Sequence, residues 1–150
     1  MPDLPPAAPS LPRRLACMLY ESLILAALVL IATFPFLALV GDATSGVRRH
    51  LLQAWVVLVV GAYLAGFWSR GGQTLAMKTW RIRVESADGG PVGPWQAVRR
   101  YLFAGAGAAA LGLGFLWAFL DRDGQFLHDR LAGTRLVDTR MDEGRRRAPG

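Results

Sequence analysis

The chain has 150 residues, of which 53% are hydrophobic and only 19% are charged, and its formal net charge is +6. Soluble domains average about 45–50% apolar and about 25% charged residues, so this composition argues against a water-soluble globule. The frequent large apolar residues also argue against disorder. The single cysteine, Cys17, excludes an intramolecular disulfide and any cysteine-based metal cluster.

Two long apolar stretches follow a proline-rich start. Residues 1–12 are predicted to be a disordered lead, and the apolar stretches cover residues 15–40 and 51–68. A helix needs about 20 apolar residues to cross the hydrocarbon core of a membrane. A signal peptide has a shorter apolar core, of about 7–15 residues. The sequence therefore predicts two transmembrane helices rather than a cleaved leader.

The connector at residues 69–100 carries signals for short elements. Thr74 is placed to cap a helix, and Pro94 is placed to open another. Apolar and polar residues alternate from Trp80 to Glu85, which is typical of a short strand. Residues 134–139 are predicted to form a second strand. The two strands can pair only if both lie on the same side of the membrane.

A third apolar stretch, at residues 101–120, has an unusual composition. It is uncharged and is interrupted by four glycines: Gly105, Gly107, Gly112 and Gly114. Glycine weakens a helix by about 1 kcal/mol relative to alanine. Small residues also occur where membrane helices pack closely, so the stretch is either a spanning helix or a segment that enters and returns.

The distribution of arginines bears on this choice, because Lys and Arg in short loops mark the cytoplasmic side. If all three stretches cross the membrane, 8 of the Lys and Arg residues lie on one side and 9 on the other. If the third stretch returns, 15 lie on one side and 2 on the other. The second arrangement is preferred. It predicts cytoplasmic N- and C-termini in the inner (plasma) membrane of a bacterium, and residues 139–150 as a charged flexible tail.

Glu21 is the most informative charged residue, because it lies within the first apolar stretch. It follows Arg14 by seven positions, which is about two helical turns, or 10 Å, along one face. Acidic residues at such depth usually face the protein interior and find a partner. Glu21 is either an ion- or proton-handling carboxylate or part of a structural ion pair that fixes the helix.

The remaining motifs do not indicate an enzyme. His128 and Asp129 can relay protons, but neighbouring residues point in different directions on a helix. The sequence contains no nucleophile constellation and no metalloprotease or nucleotide-binding motif. We expect no catalysis, no cofactor and no metal site. The arginines either hold anionic lipid headgroups or simply follow the positive-inside rule, which is the preferred account of most of them. Nucleic acid is not expected as a partner, since membrane topology already explains the charge.

Three blocks of sequence resemble the RDD family of bacterial membrane proteins. They are Arg13-Arg14-Leu15-Ala16 with Glu21; Gly72 to Lys78 with Arg83-Val84, Asp88-Gly89 and Arg100-Tyr101; and Leu127 to Thr134. The order and spacing of the blocks cover residues 13–138, which we take as one membrane domain.

The family takes its name from one arginine and two aspartates, which by motif position are Arg14, Glu21 and Asp129. Glu21 departs from the usual aspartate by one methylene, and Ala76 stands where a glycine is usual. The resemblance implies a small multi-span protein, with transport suggested for the family and cation/proton exchange attributed to some members.

The sequence therefore predicts an all-α membrane protein with two transmembrane helices, a third glycine-rich segment and a small cytoplasmic cap with short β-strands. The leading hypothesis is a transport-related protein that acts as an oligomer or with a membrane partner, with Arg14, Glu21 and Asp129 at its site. The alternative is a scaffold or assembly factor in which these charges are structural. Further candidate site residues are Asp121, His128, Gln73, Thr74, Lys78 and Arg100.

Overall fold

The computed structural model describes residues 8–110, 112, 116–121 and 125–140. Residues 1–7 of the predicted lead and 141–150 of the predicted tail lie outside this part. Leu11 and Pro12, the last two residues of the predicted lead, already belong to the first helix. Proline is tolerated there because the first turn of a helix needs no backbone donor.

Two long helices account for the first two apolar stretches. Helix α1 runs over Leu11–Val40 and helix α2 over Gly46–Gly71. Both are long and apolar enough to cross a membrane, so the prediction of two such helices is confirmed in length and composition. Gly41 caps the C-terminus of α1, and its φ of 81° takes the chain out of the helical conformation. The indole of Trp55 ties the two helices by donating to the carbonyl of Ala32 at 2.9 Å.

The two predicted strands pair. Strand β1, Ile82–Ser86, runs antiparallel to strand β2, Thr134–Asp138, with Val84 opposite Leu136. The short helix α3, Leu75–Trp80, precedes β1 and is capped by Thr74, whose hydroxyl accepts the Met77 N–H at 3.3 Å. An isolated two-stranded ribbon is marginal in water, so this sheet depends on the helices packed around it.

The third apolar stretch is only partly helical in the part of the chain that is described. Helix α4 covers Pro94–Ala109, and a short 3₁₀ turn follows at Trp117–Phe119. Sixteen residues of helix are fewer than the roughly 20 that a crossing needs. Residues 111 and 113–115 lie outside the described part.

Helix α4 packs closely against α2. The Tyr101 ring lies so near Gly61 that a methyl group there would collide with it, and the Tyr101 hydroxyl donates to the Val57 carbonyl at 2.8 Å. Helix α5, Leu127–Ala132, packs against α4 and leads directly into β2. We call α3, β1, α5 and β2 together the cap.

The hydrophobic core lies where the cap meets one end of the long helices. Its buried members include Leu64 and Trp68 from α2, Ile82 from β1 and Leu136 from β2. The far halves of α1 and α2 are different, because their large apolar side chains are exposed. An ion pair between Arg13 and Asp138 joins the first turn of α1 to the end of β2.

The junction between α2 and the cap requires a glycine at position 72. Gly72 has a φ of +69°, and a Cβ there would overlap with the carbonyl oxygen of Val84. Gly72→Ala is therefore expected to lower the free energy of unfolding by about 3 kcal/mol, from steric overlap and left-handed strain together. Gly71→Ala is the matched control, because nothing lies within 4 Å of a Cβ there. Denaturant unfolding in detergent micelles measures both; equal stabilities would contradict this account.

Candidate functional site

A cavity of about 200 Å³ lies between the first turns of α1, the end of α2, α4 and the cap. Four of the predicted site residues line it: Arg14, Glu21, Arg100 and His128. Most of the remaining wall is apolar, with Leu25 and Leu64 among the lining residues, and Ser22 also lines it. Tertiary packing thus brings together residues from both ends of the sequence.

The second predicted carboxylate, Asp129, lies behind this wall in a buried ion pair with Arg100. The Arg100 Nη1 and Asp129 Oδ1 atoms are 2.5 Å apart, and the side chains are 3% and 0% exposed. The other carboxylate oxygen accepts the Phe126 N–H at 3.3 Å, at the start of α5. The Arg100 guanidinium also lies 4.6 Å from the centre of the Trp68 ring. This aspartate is held from two sides.

Arg14 is buried in the first turn of α1. Its Nε donates to the carbonyl of Pro9 at 2.7 Å, and its guanidinium lies 5.8 Å from the Phe126 ring centre. Asp129 and Asp121 interact with it electrostatically. Arg14 therefore contributes a second guanidinium to the cavity, beside the Arg100 pair.

Glu21 lies in the same cavity but is held differently. Its Oε2 accepts a hydrogen bond from the Thr74 hydroxyl, which also caps α3. Its Oε1 is buried and, within the described residues, has no hydrogen-bond partner. The Tyr63 hydroxyl is close to this carboxylate but makes no hydrogen bond of ordinary geometry with it. The direct partner of Glu21 is thus a threonine rather than an arginine.

His128 is held as a neutral imidazole beside the ion pair. Its ring stacks on Phe126 with centres 5.4 Å apart, and its Nε2 is 3.8 Å from Asp129 Oδ1. Burial and the nearby charge of Arg100 lower its pKa from 6.5 to about 4, although the Asp129 carboxylate acts in the opposite direction. At neutral pH this side chain therefore adds no charge to the cavity.

The other candidate residues lie outside the cavity. Asp121 pairs with Arg130, with Nη2 and Oδ1 2.8 Å apart. The Gln73 amide donates to the Ile82 carbonyl at 2.8 Å and so braces the start of β1. Lys78 is exposed, and its Nζ lies 5.9 Å from the Phe67 ring centre. Asp121 and Gln73 thus make contacts within the fold, and none of the three residues lines the cavity.

Several residues at or near the site were not predicted, because little in the sequence pointed to them. Trp68 and Phe126 are aromatic residues among many, yet they flank the two guanidiniums. Cys17 also lines the cavity, one helical turn before Glu21, and the Tyr63 hydroxyl lies near the Glu21 carboxylate. Helical spacing from Glu21 points to Cys17, but it does not point to Tyr63. Asp138, the partner of Arg13, is separated from it by 125 positions.

Comparison with protein families assigns the chain to a family. The RDD family model matches residues 8–133, which is most of the chain. The chain belongs to the RDD family. The matched region includes Arg14, Glu21 and Asp129, so the RDD resemblance seen in the sequence is confirmed. Comparison with curated proteins and with solved structures finds no match.

The ion pair in this RDD protein provides a sharp stability test. Asp129→Asn leaves the Arg100 charge buried without its counter-ion, which is expected to cost about 3–5 kcal/mol of unfolding free energy. Glu85→Gln is the control, because it breaks a longer and partly exposed contact with Arg135, at 3.7 Å. That loss is expected to be about 0–1 kcal/mol. Denaturant titration in micelles compares the two, and equal losses would refute the structural importance of the buried pair.

The lowered pKa of His128 predicts a pH dependence. Between pH 6.5 and about 4 the unfolded chain binds a proton at this residue that the folded chain does not. The free energy of unfolding should therefore fall as the pH is lowered through this window, by on the order of 3 kcal/mol. His128→Gln should remove that part of the slope.

The matched control is His50→Gln, because His50 is the second histidine and its side chain is exposed on α2. Unfolding titrations at several pH values between 4 and 7 give the slope for each variant. An unchanged slope in His128→Gln would contradict the neutral, buried imidazole.

Proposed function

We propose that this RDD protein is a transport-related membrane protein in which the cavity receives an ion or small solute and Glu21 carries a proton. The observation that supports this most is the state of the Glu21 carboxylate. One oxygen is held by Thr74, while the other is buried at the cavity without a hydrogen bond in the described part of the chain. An oxygen in that state is available for a proton or a solute.

The two carboxylates take different roles in this proposal. Asp129 is completely enclosed and each of its oxygens is already engaged, by Arg100 and by the Phe126 N–H. Releasing it would leave a buried guanidinium without its counter-ion, which is costly. Asp129 is therefore the fixed counter-charge, and Glu21 is the exchangeable group.

The surroundings of Glu21 favour a proton over a metal cation. Arg14 and Arg100 line the same cavity, and their positive potential opposes any added positive charge, whether a proton or a metal ion brings it. A proton needs only one carboxylate oxygen, whereas a metal ion needs several ligands, and the described residues contain no group of three or more His, Cys, Asp or Glu side chains that could hold one. The proton-exchange half of the activity suggested for the family is thus the half that this site supports.

The arrangement of the segments supports an assembly in the inner membrane of a bacterium. Pairing of β1 with β2 favours a third segment that returns to the side from which it came, with both termini cytoplasmic. Two helices that cross the membrane are too few to enclose a transport pathway by themselves. The exposed side chains of Leu30, Ile31 and Phe34 on α1 suit lipid or other copies of the chain, so we propose a homo-oligomer.

A second candidate function is a non-transporting scaffold or assembly factor. The observation that favours it is the number of charged contacts that only join elements. Two ion pairs, Arg13 with Asp138 and Arg100 with Asp129, connect α1 and α4 to the cap. Neither ion pair needs a bound solute. Under this alternative Glu21 with Thr74 is a third contact of the same kind.

Flux through proteoliposomes distinguishes the two. Purified protein is reconstituted with a pH-sensitive dye inside, and dissipation of an imposed pH gradient is followed after addition of candidate solutes. Glu21→Gln keeps the shape and the acceptor for Thr74 but cannot carry a proton, so the flux should fall at least tenfold. Glu85→Gln, in strand β1 and outside the cavity, should leave it unchanged.

Folded Glu21→Gln protein with wild-type flux would overturn the role of Glu21. Absence of proton-linked flux in the wild-type protein for every solute tried, in correctly folded protein, would favour the scaffold.

A further inference from the structure

We propose that a groove between α2 and α3 binds an anionic phospholipid, with its phosphate between Arg70 and Lys78 and the start of an acyl chain along Ala62 and Gly66. The groove has a volume of about 310 Å³. It shares no lining residue with the cavity that contains Glu21, so a lipid bound here does not depend on the transport role.

The two cations of the groove reach the same turn of α2. Arg70 folds back along its own helix, so that its Nη1 atom lies 3.6 Å from the position that a Cβ on Gly66 would take. Lys78 comes from the last turn of α3, and its Nζ atom lies 5.9 Å from the centre of the Phe67 ring. Because Gly66 and Phe67 are consecutive, two positive charges meet in one groove. Neighbouring like charges repel each other, and a bound anion between them relieves this repulsion.

No acidic side chain lines the groove to offset these charges. Its eight lining residues include neither Asp nor Glu. Within the part of the chain that the structure describes, neither Arg70 nor Lys78 forms an ion pair. Arg70 also lines a neighbouring pocket that contains Glu85, but the ion-pair partner of Glu85 is Arg135, at 3.7 Å. The groove therefore presents two positive charges without a counter-ion among the described residues.

The level of the groove along α2 favours a lipid over a free phosphate ion. Helix α2 has 26 residues, so its length is about 39 Å and exceeds the hydrocarbon core of roughly 30 Å. Arg70, in the last turn, therefore lies among the headgroups. Ala62 lies eight positions earlier, about 12 Å deeper toward the hydrocarbon. The small side chains at positions 62 and 66 leave room beside Phe67 for an acyl chain, below a basic site of the kind that holds phospholipid headgroups.

A second copy of α2 is the competing occupant of the groove. Ala62 and Gly66 are small residues four positions apart, and such pairs also allow two membrane helices to pack closely. Parallel packing on this face would bring Arg70 and Lys78 of one copy against the same two cations of the other. That repulsion favours an anionic lipid over a second copy of the helix.

The test measures lipid binding to the full chain in detergent micelles by native mass spectrometry, which counts the lipids bound to each protein. Phosphatidylglycerol is compared with phosphatidylcholine of the same acyl chains, which has the phosphate but no net charge. Phosphatidylglycerol is expected to bind about tenfold more tightly. Glycerophosphoglycerol, the same headgroup without acyl chains, should not displace it. Equal affinities for the two lipids, or displacement by the free headgroup, would overturn the proposal.

Two double variants with the same loss of charge test the assigned cations. Arg70→Gln with Lys78→Gln should weaken phosphatidylglycerol binding about tenfold, because both charges at the phosphate are removed. Arg48→Gln with Arg49→Gln is the matched control, since it removes two charges from the other end of α2, outside the groove. Binding by this control should stay within about twofold of wild type. Equal weakening in the two double variants would show that net charge alone attracts the lipid and would refute the site.

A second pair of variants tests the groove without removing a charge. Gly66→Leu fills it beside the cations and should also weaken phosphatidylglycerol binding about tenfold; the nearest contact of a Cβ there, 3.6 Å, is an ordinary one. Ala54→Leu is the control, because Ala54 is exposed on the same helix and does not line the groove. Wild-type affinity in Gly66→Leu, or an equal loss in Ala54→Leu, would refute the position.

Two further outcomes decide against a lipid. Arg70 and Lys78 each lie in the last turn of a helix, where a cation also stabilises the helix end. Lower stability of the Arg70→Gln, Lys78→Gln protein in lipid-free micelles, with its preference for phosphatidylglycerol unchanged, would assign the cations to that role alone. A dimer that Gly66→Leu dissociates while lipid binding persists would assign the groove to a second copy of the chain.

Discussion

The ion pair between Arg100 and Asp129 is the interaction on which the rest of the structure depends. It joins α4 to α5 at a buried position, where both side chains are almost completely inaccessible to water. Two isolated charges in such a place would be strongly destabilising, and they are tolerated because each is the partner of the other. The same aspartate engages the N–H that starts α5, and the same arginine lies on Trp68 of α2. One pair of residues thereby positions three helices around the cavity.

The two carboxylates of the RDD motif also differ in their surroundings. Asp129 accepts hydrogen bonds from the Arg100 guanidinium and from the Phe126 N–H. Among the described residues, Glu21 accepts a hydrogen bond from the Thr74 hydroxyl and lines the cavity together with Arg14 and Arg100. In the transport role proposed above, protonation of Glu21 alters the net charge of the cavity.

The molecule has two regions whose apolar side chains have different surroundings. At the cap end, apolar residues from α1, α2, both strands and the loop before α5 form a common core. Toward the other end, α1 and α2 expose large apolar side chains, which is stable only against lipid or another apolar surface. The cavity lies at the boundary between these regions, and both charged and apolar side chains line it.

Local features were predictable from the sequence. The length of the apolar stretches predicted α1 and α2, the alternation from Trp80 to Glu85 predicted β1, and Thr74 was placed as a helix cap. These signals depend on residues within a few positions of each other, where periodicity and backbone hydrogen bonds act. The RDD motifs also identified Arg14, Glu21 and Asp129 as residues to examine.

The sequence by itself thus determined the two long helices, the strands and the residues that carry the charge. Only the tertiary structure decided which charges meet. Arg100 reaches Asp129 across 29 positions, Thr74 reaches Glu21 across 53, and Arg13 reaches Asp138 across 125. No local pattern encodes such partners, because their distances are set by how helices and sheet pack. That packing assigned Arg100, rather than Arg14, as the direct partner of Asp129, and it created the cavity that Glu21 faces.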